Sequence, residues 1–201
     1  MSAPVRSSPL ALTVLALLHT RPLHPYGIQR LIKEWGKEQV VNVEQRASLY
    51  RTIDRLNAAG LIAVRQTERG SQYPERTVYE VTEAGRETAR TWIRAMLAAP
   101  KREFPEFPAA VSNAMLLPPA ELLGLLEERL RELEKDLAGL DASLGEEAEM
   151  GLPRVTMLDT EYMRAVTAAE TGWVRSVVDD LRAGRLTWSR EMLAAFDSGA
   201  R

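Results

Sequence analysis

Between residues 46 and 85 the hydrophobic period of the chain changes twice, and this constrains the fold more than any other feature. Leu49, Ile53 and Leu56 fall at i, i+4 and i+7, the spacing of one buried helix face, and Gly60 follows as a residue able to take positive φ at a helix C-terminus. Alternating patterns at 61–67 and 77–81, separated by a polar stretch at 68–75, predict a β-hairpin. Thr82 is placed to cap a further helix running to about Leu97, with Ala89, Trp92, Ile93 and Met96 on its buried side. Turning about 100° per residue away from the Leu49 face puts Ser48, Arg51, Thr52 and Arg55 on the side facing away from the core or at its margins.

A short helix with apolar anchors behind and hydroxyls plus guanidiniums in front suits the DNA major groove. With the hairpin beside it, the segment reads as a winged helix-turn-helix. Arg51 and Arg55 are able to donate paired hydrogen bonds to guanine, and the hydroxyls of Ser48 and Thr52 to position a phosphate. The bland reading of the same four residues is a solvated helix face. Gln45 and Arg46 stand at the helix N-terminus, as anion contacts or as simple caps. Tyr50 lies beside the apolar stripe, placed either to reach a phosphate with its hydroxyl or to fill the core. Arg65, Arg69 and Arg76 put three cations on one hairpin, suited to backbone or minor-groove contact.

The net charge of −2 at first argues against a nucleic-acid partner, but it hides an asymmetry. Residues 1–100 carry 14 Lys+Arg against 9 Asp+Glu, a net +5; residues 101–201 carry 12 against 19, a net −7. A basic front joined to an acidic rear orients a chain on DNA. Zero cysteines exclude disulfides and thiolate metal sites and suit a cytoplasmic location. The longest apolar run, 10–18, is too short for a membrane span and is not followed by a signal-peptide cleavage site. His19 and His24 are the only histidines, too few for a metal centre without other ligands, and no cofactor is expected. No phosphate-cradling glycine loop and no nucleophile–base–acid arrangement is present, so an enzyme is not expected.

The fold class expected is mainly α with a small β-hairpin: a winged helix-turn-helix domain at 1–99, a Pro-rich linker at 100–118, and a helical dimerisation and effector domain at 119–201. Residues 1–7 read as disordered. Ser8-Pro9 starts a first helix, apolar nearly all round, and His24-Pro25 starts a second with Tyr26, Ile28, Leu31, Ile32 and Trp35 toward the core. Val40, Val41 and Val43 suggest a short strand. Leu123, Leu126, Leu130, Leu133, Leu137, Leu140 and Leu144 form a heptad seam. A polar loop at 145–154 leads to a long helix at about 155–182 that carries Val166, Trp173 and Val177. The seam is expected to pack both on that helix and across a two-fold axis, with Glu170 at its rim. A last short helix is expected around Trp188, Met192, Leu193 and Phe196. Tryptophans at helical spacing are ordinarily core; Trp92 and Trp173 are the best placed to stack on a flat effector.

His24-Pro25-Tyr26-Gly27-Ile28, Ser48-Leu49-Tyr50, Asp54-Arg55-Leu56, Ala59-Gly60-Leu61-Ile62, and Pro74, Arg76, Tyr79, Thr82 and Gly85 in order resemble the PadR family of bacterial transcriptional regulators. The resemblance covers about residues 9–96, and the paired helices behind look like the longer C-terminal region of one PadR subgroup. It implies a cytoplasmic homodimer, usually a repressor, whose C-terminal helices dimerise and whose winged domains occupy two half-sites on double-stranded DNA. Some members of the family respond to phenolic acids or flat hydrophobic drugs. Asn57 departs from the acidic residue usual there. The competing reading is a coiled-coil dimeric adaptor that uses its winged domain for protein contact.

Overall fold

A computed structural model of the chain describes residues 6–41, 46–68, 76–189 and 191–192. It divides into two compact units, residues 1–102 and 103–201. The first contains α1 (Pro9–Thr20), α2 (Pro25–Glu34), a 3-10 turn (Lys37–Gln39), α3 (Arg46–Ala58), β1 (Ile62–Glu68), β2 (Arg76–Val81) and α4 (Glu83–Ala98). The wing tip and most of the stretch expected to end the chain in a short helix fall outside the described residues, as do residues 1–5 and Val43.

The starts of α1 and α2 follow from local chemistry. The Ser8 hydroxyl accepts the Ala11 N–H at 3.2 Å, with Pro9 at the first helical position. At α2 the cap is a histidine: His24 Nδ1 accepts the Gly27 N–H at 2.8 Å. Replacing His24 with alanine is therefore expected to cost about 1 kcal/mol in urea denaturation, the usual value of a lost N-cap. An unchanged midpoint would show that the contact contributes nothing.

α1 packs on α3, α4 and β2, so its residues Ala11, Val14, Leu15, Leu17 and Leu18 are buried on several sides. Leu49, Ile53 and Leu56 of α3 and Ile28, Leu31 and Ile32 of α2 complete the core. Two aromatics expected there are outside it: Tyr26 is 58% and Trp35 50% exposed. The buried face of α2 is already filled by Gly27, Ile28, Leu31 and Ile32, and Trp35 lies past the helix end, where Gly36 turns the chain at φ +63°. Ile93 likewise faces solvent. Val40 and Val41 follow the 3-10 turn Lys37–Gln39 and form no strand, with Val41 buried.

β1 and β2 pair antiparallel from Ile62↔Val81 to Glu68↔Arg76, with a bulge at Arg65. Leu23 and Tyr79 exchange both backbone hydrogen bonds (3.0 and 2.9 Å), which ties the α1–α2 connection to the hairpin. Gly60 closes α3 at φ +70°. Directly beyond it, Thr82 joins the two ends of the hairpin: its hydroxyl donates to Gly60 O (2.7 Å, with Leu61 O at 3.1 Å) and accepts the Gly85 N–H (3.1 Å).

In the second unit the proline-rich stretch carries a helix, α5 (Glu106–Val111), and a 3-10 turn (Ala114–Leu116). Pro105 and Pro108 flank or occupy the first turn, where a missing N–H costs nothing. α6 (Pro119–Glu149) runs straight through Gly145, so the expected loop at 145–154 shrinks to the residues around Gly151, at φ +68°. α7 (Leu158–Arg182) returns antiparallel. Leu126, Leu133, Val174, Val178 and Leu181 form the core of this hairpin, with Leu123, Leu130, Phe107 and Trp188 at its margin. Trp188 is held by its indole N–H, which donates to Leu117 O at 3.1 Å. Cross-hairpin pairs Arg182–Glu127 (2.8 Å), Arg175–Glu134 (2.7 Å) and Arg164–Asp141 run in opposite order on the two helices and specify the antiparallel register. Exposed as they are, they contribute little to stability.

Candidate nucleic-acid interface

α3 lies in the first unit with one face spent on the core, which fixes what the other face presents. Leu49, Ile53 and Leu56 are 1% exposed or less, and this locks the rotation of the helix about its axis. Arg51 and Arg55 are consequently exposed, Ser48 is half-buried and Tyr50 is half-exposed beside the stripe. Thr52 does not join them: it is 5% exposed. At i+3 from Leu49 and i−4 from Leu56 it sits within the apolar stripe, so its position along the helix, rather than its hydroxyl, decides its burial.

Arg51 and Arg55 share one face at i, i+4 and, among the described residues, take part in no ion pair or hydrogen bond; Asp54 between them bridges to neither. Most other arginines among the described residues are paired, such as Arg30 with Glu34, Arg86 with Glu83, Arg90 and Arg94 with Glu87. Two like charges one helical turn apart repel by a few tenths of a kcal/mol. Left uncompensated, they make α3 a cationic surface.

The wing is less uniform than its sequence. Arg65, displaced by the bulge, reaches across to Glu80 (3.7 Å), so it is a paired rather than a free cation. Arg76 opens β2 and Arg46 opens α3, but their side chains are outside what the structure describes, as are Gln45 and Arg69 altogether. The Tyr79 phenol is pushed above its ordinary pKa by burial and, secondarily, by the Asp54 carboxylate, which keeps it neutral beneath α3. Among the described residues no cluster of three or more His, Asp or Glu is arranged to hold a metal ion.

The second unit divides its leucine seam into two columns. Leu126, Leu133 and Leu140 are buried, Leu126 and Leu133 in the core with Val174 and Val178, whereas Leu123, Leu130 and Leu137 are half-buried. The buried column thus packs within the chain and is not offered to a second copy. On α7, Val166 (45% exposed) and Trp173 (46%) face outward, and Val177 is half-buried. Leu158 and Tyr162 extend the same outward stripe; Leu158 is among the apolar residues expected on this helix and Tyr162 is not, although the 158, 162, 166, 169, 173, 177 spacing carries a second helical period. Glu170 accepts both Nε (3.1 Å) and a terminal nitrogen (2.7 Å) of Arg129. Arg129 also lies 5.3 Å above the Phe107 ring, which meets Trp173 edge-on at 6.1 Å. Trp92 packs against the core of the first unit.

Residues 14–91 match the model of the transcriptional regulator PadR-like family. No curated protein matches the chain. Among solved structures, the chain is similar to Bacillus subtilis PadR in complex with operator DNA, with TM-score 0.73, 19% identity, and coverage of 86% of this chain and 98% of that one. It is also similar to the same protein in complex with p-coumaric acid (TM-score 0.67, 17% identity, 88% and 99% covered). A third similar structure is the Vibrio cholerae virulence activator AphA (0.63, 20%, 87% and 98%). At these identities the structures establish a shared fold. Together with the family match over residues 14–91, they give the first unit the winged-helix fold of the PadR-like transcriptional regulators.

Proposed function

We propose that the chain is a transcriptional repressor that binds a two-half-site operator as a homodimer and is released by a small hydrophobic or phenolic effector. The observation that carries the DNA reading is the pair of unpartnered guanidiniums on the outward face of α3. An adaptor using the same face for protein contact would need an acidic partner to compensate the two charges. The outward stripe of α7 supports dimerisation, because Tyr162, Val166 and Trp173 leave an apolar face without a partner in the single chain. α6, at about 46 Å for 31 residues, has the length to space two winged units by one DNA turn, roughly 34 Å. In the second unit Trp173 meets Phe107 edge-on, an aromatic pair that suits contact with a flat ring, while Arg129 above Phe107 is already held by Glu170. The p-coumaric acid complex of Bacillus subtilis PadR supports that ligand class. No helix among the described residues is long and apolar enough to cross a membrane, and we place the protein in the cytoplasm with its DNA.

Selection of bound duplexes from a random-sequence pool, with and without phenolic acids, tests this reading. Enriched sequences should contain two inverted half-sites about 10 base pairs apart centre to centre. Placed across a promoter, the selected site should lower transcript yield. Enrichment of single half-sites would overturn the homodimer, and no enrichment would overturn the DNA function.

A further inference from the structure

The start of α1 and the outward face of α3 together line an open cleft of about 540 Å³. Ser8, Pro9 and Leu10 form one wall, Ser48, Arg51, Thr52 and Arg55 the other, and Val40 and Val41 the floor. Among the described residues the charged side chains lining it are Arg51 and Arg55, and neither has a carboxylate partner. Apolar surface, the hydroxyls of Ser8 and Ser48 in front of the buried Thr52, and two guanidiniums suit a group that is itself part apolar and part anionic, as a sugar–phosphate is. We propose that this cleft seats a phosphodiester of the DNA backbone bordering the groove that α3 enters, and that Ser8 and Arg6 are additional DNA contacts. The proposal rests on the DNA-binding reading above and adds a division of labour: the outer ends of Arg51 and Arg55 read the groove, while the wall of α1 grips the strand beside it.

Ser8 is suited to this role by what it already does. Its oxygen accepts the Ala11 N–H at 3.2 Å to cap α1, which leaves the hydroxyl proton free to donate to a phosphate oxygen. Arg6 is two residues upstream, within about 7 Å of Ser8 along the chain. It is exposed and, among the described residues, makes no ion pair or hydrogen bond. The chain thus carries a further unpaired cation within reach of Ser8, which lines the cleft.

The cap provides a clean test. Aspartate caps a helix as well as serine does, so Ser8→Asp should fold with an unchanged or slightly raised thermal midpoint while placing a carboxylate in the cleft. Against the duplex obtained by selection, Ser8→Asp is expected to bind about tenfold or more weakly, because like charges are then juxtaposed. Arg6→Gln is expected to reduce the slope of log K against log salt by about 0.9, the value of one phosphate contact, and to weaken specific and random duplexes equally. Thr91→Asp on exposed α4, which adds the same charge away from the cleft, should bind within about twofold of the unaltered protein. A duplex carrying a neutral methylphosphonate at the bordering position should erase the difference between Ser8→Asp and the unaltered protein. Undiminished binding by folded Ser8→Asp overturns the proposal, and an unchanged salt slope in Arg6→Gln overturns the part assigned to Arg6. If Ser8→Asp fails to fold, the methylphosphonate duplex decides: unaltered binding by the unaltered protein at every backbone position overturns the proposal. Failure of the selection itself would instead remove the DNA reading on which this one stands.

Discussion

With Arg51 and Arg55 both replaced by alanine, specific DNA binding is expected to weaken by about a hundredfold or more, since each bidentate contact to a base is worth roughly 1–3 kcal/mol. Stability should move the other way. Both side chains are exposed and unpartnered among the described residues, so their removal takes away no packing and no ion pair, and it relieves a like-charge repulsion at i, i+4 worth a few tenths of a kcal/mol. The expected signature is thus lost affinity with an unchanged or slightly raised thermal midpoint. Anisotropy titrations at several salt concentrations, run beside a melting curve, read both. Affinity within threefold of the unaltered protein would mean that α3 does not enter the groove with this face. The opposite pattern, lost stability with retained binding, would mean that the two arginines are structural.

The parts of this arrangement visible in the sequence are those set by period. Leu49, Ile53 and Leu56 fix one side of α3 and thereby expose Arg51 and Arg55 on the other, and strand alternation places the hairpin after it. The parts that were not visible depend on contacts between segments distant in sequence. The Thr52 hydroxyl suggests a polar surface position, but its place in the stripe buries it. Arg65 looked like a free wing cation until the bulge brought it to Glu80. The leucine seam was legible as a seam, but only the packing of α7 shows that Leu126 and Leu133 are occupied within the chain. A glutamate at Leu133 would therefore unfold the hairpin rather than report on a dimer; Trp173 and Val166 are the positions that separate the two effects. The cleft beside α3 was invisible for the same reason, because its walls come from residues some forty positions apart.

Gly85→Ala is expected to destabilise the winged unit by about 3 kcal/mol or more, a large effect for one methyl group. The cause is a close approach rather than backbone freedom. A Cβ on Gly85 would overlap the Leu61 carbonyl oxygen and come within 2.8 Å of Val81 Cγ2. The carbonyl has little room to retreat, since it accepts the Thr82 N–H at 3.1 Å and lies 3.1 Å from the Thr82 hydroxyl. Gly85 is equally held, its own N–H donating to Thr82 Oγ1 at 3.1 Å. Movement on either side breaks the junction that joins the end of α3 to both strands of the wing. The substitution should accordingly disturb function before it unfolds the protein: at temperatures where the variant remains folded, the wing is freed from the helix it accompanies, and DNA affinity should fall. Gly124→Ala provides the contrast. Nothing lies within 4 Å of its added Cβ in the exposed second turn of α6, so the usual helix preference for alanine should raise stability by about 0.5–1 kcal/mol. Urea denaturation of the two variants side by side distinguishes a steric clash from a general effect of removing glycine. A Gly85→Ala midpoint near that of the unaltered protein would show that the Leu61 carbonyl yields, and that the wing is not clamped at its base.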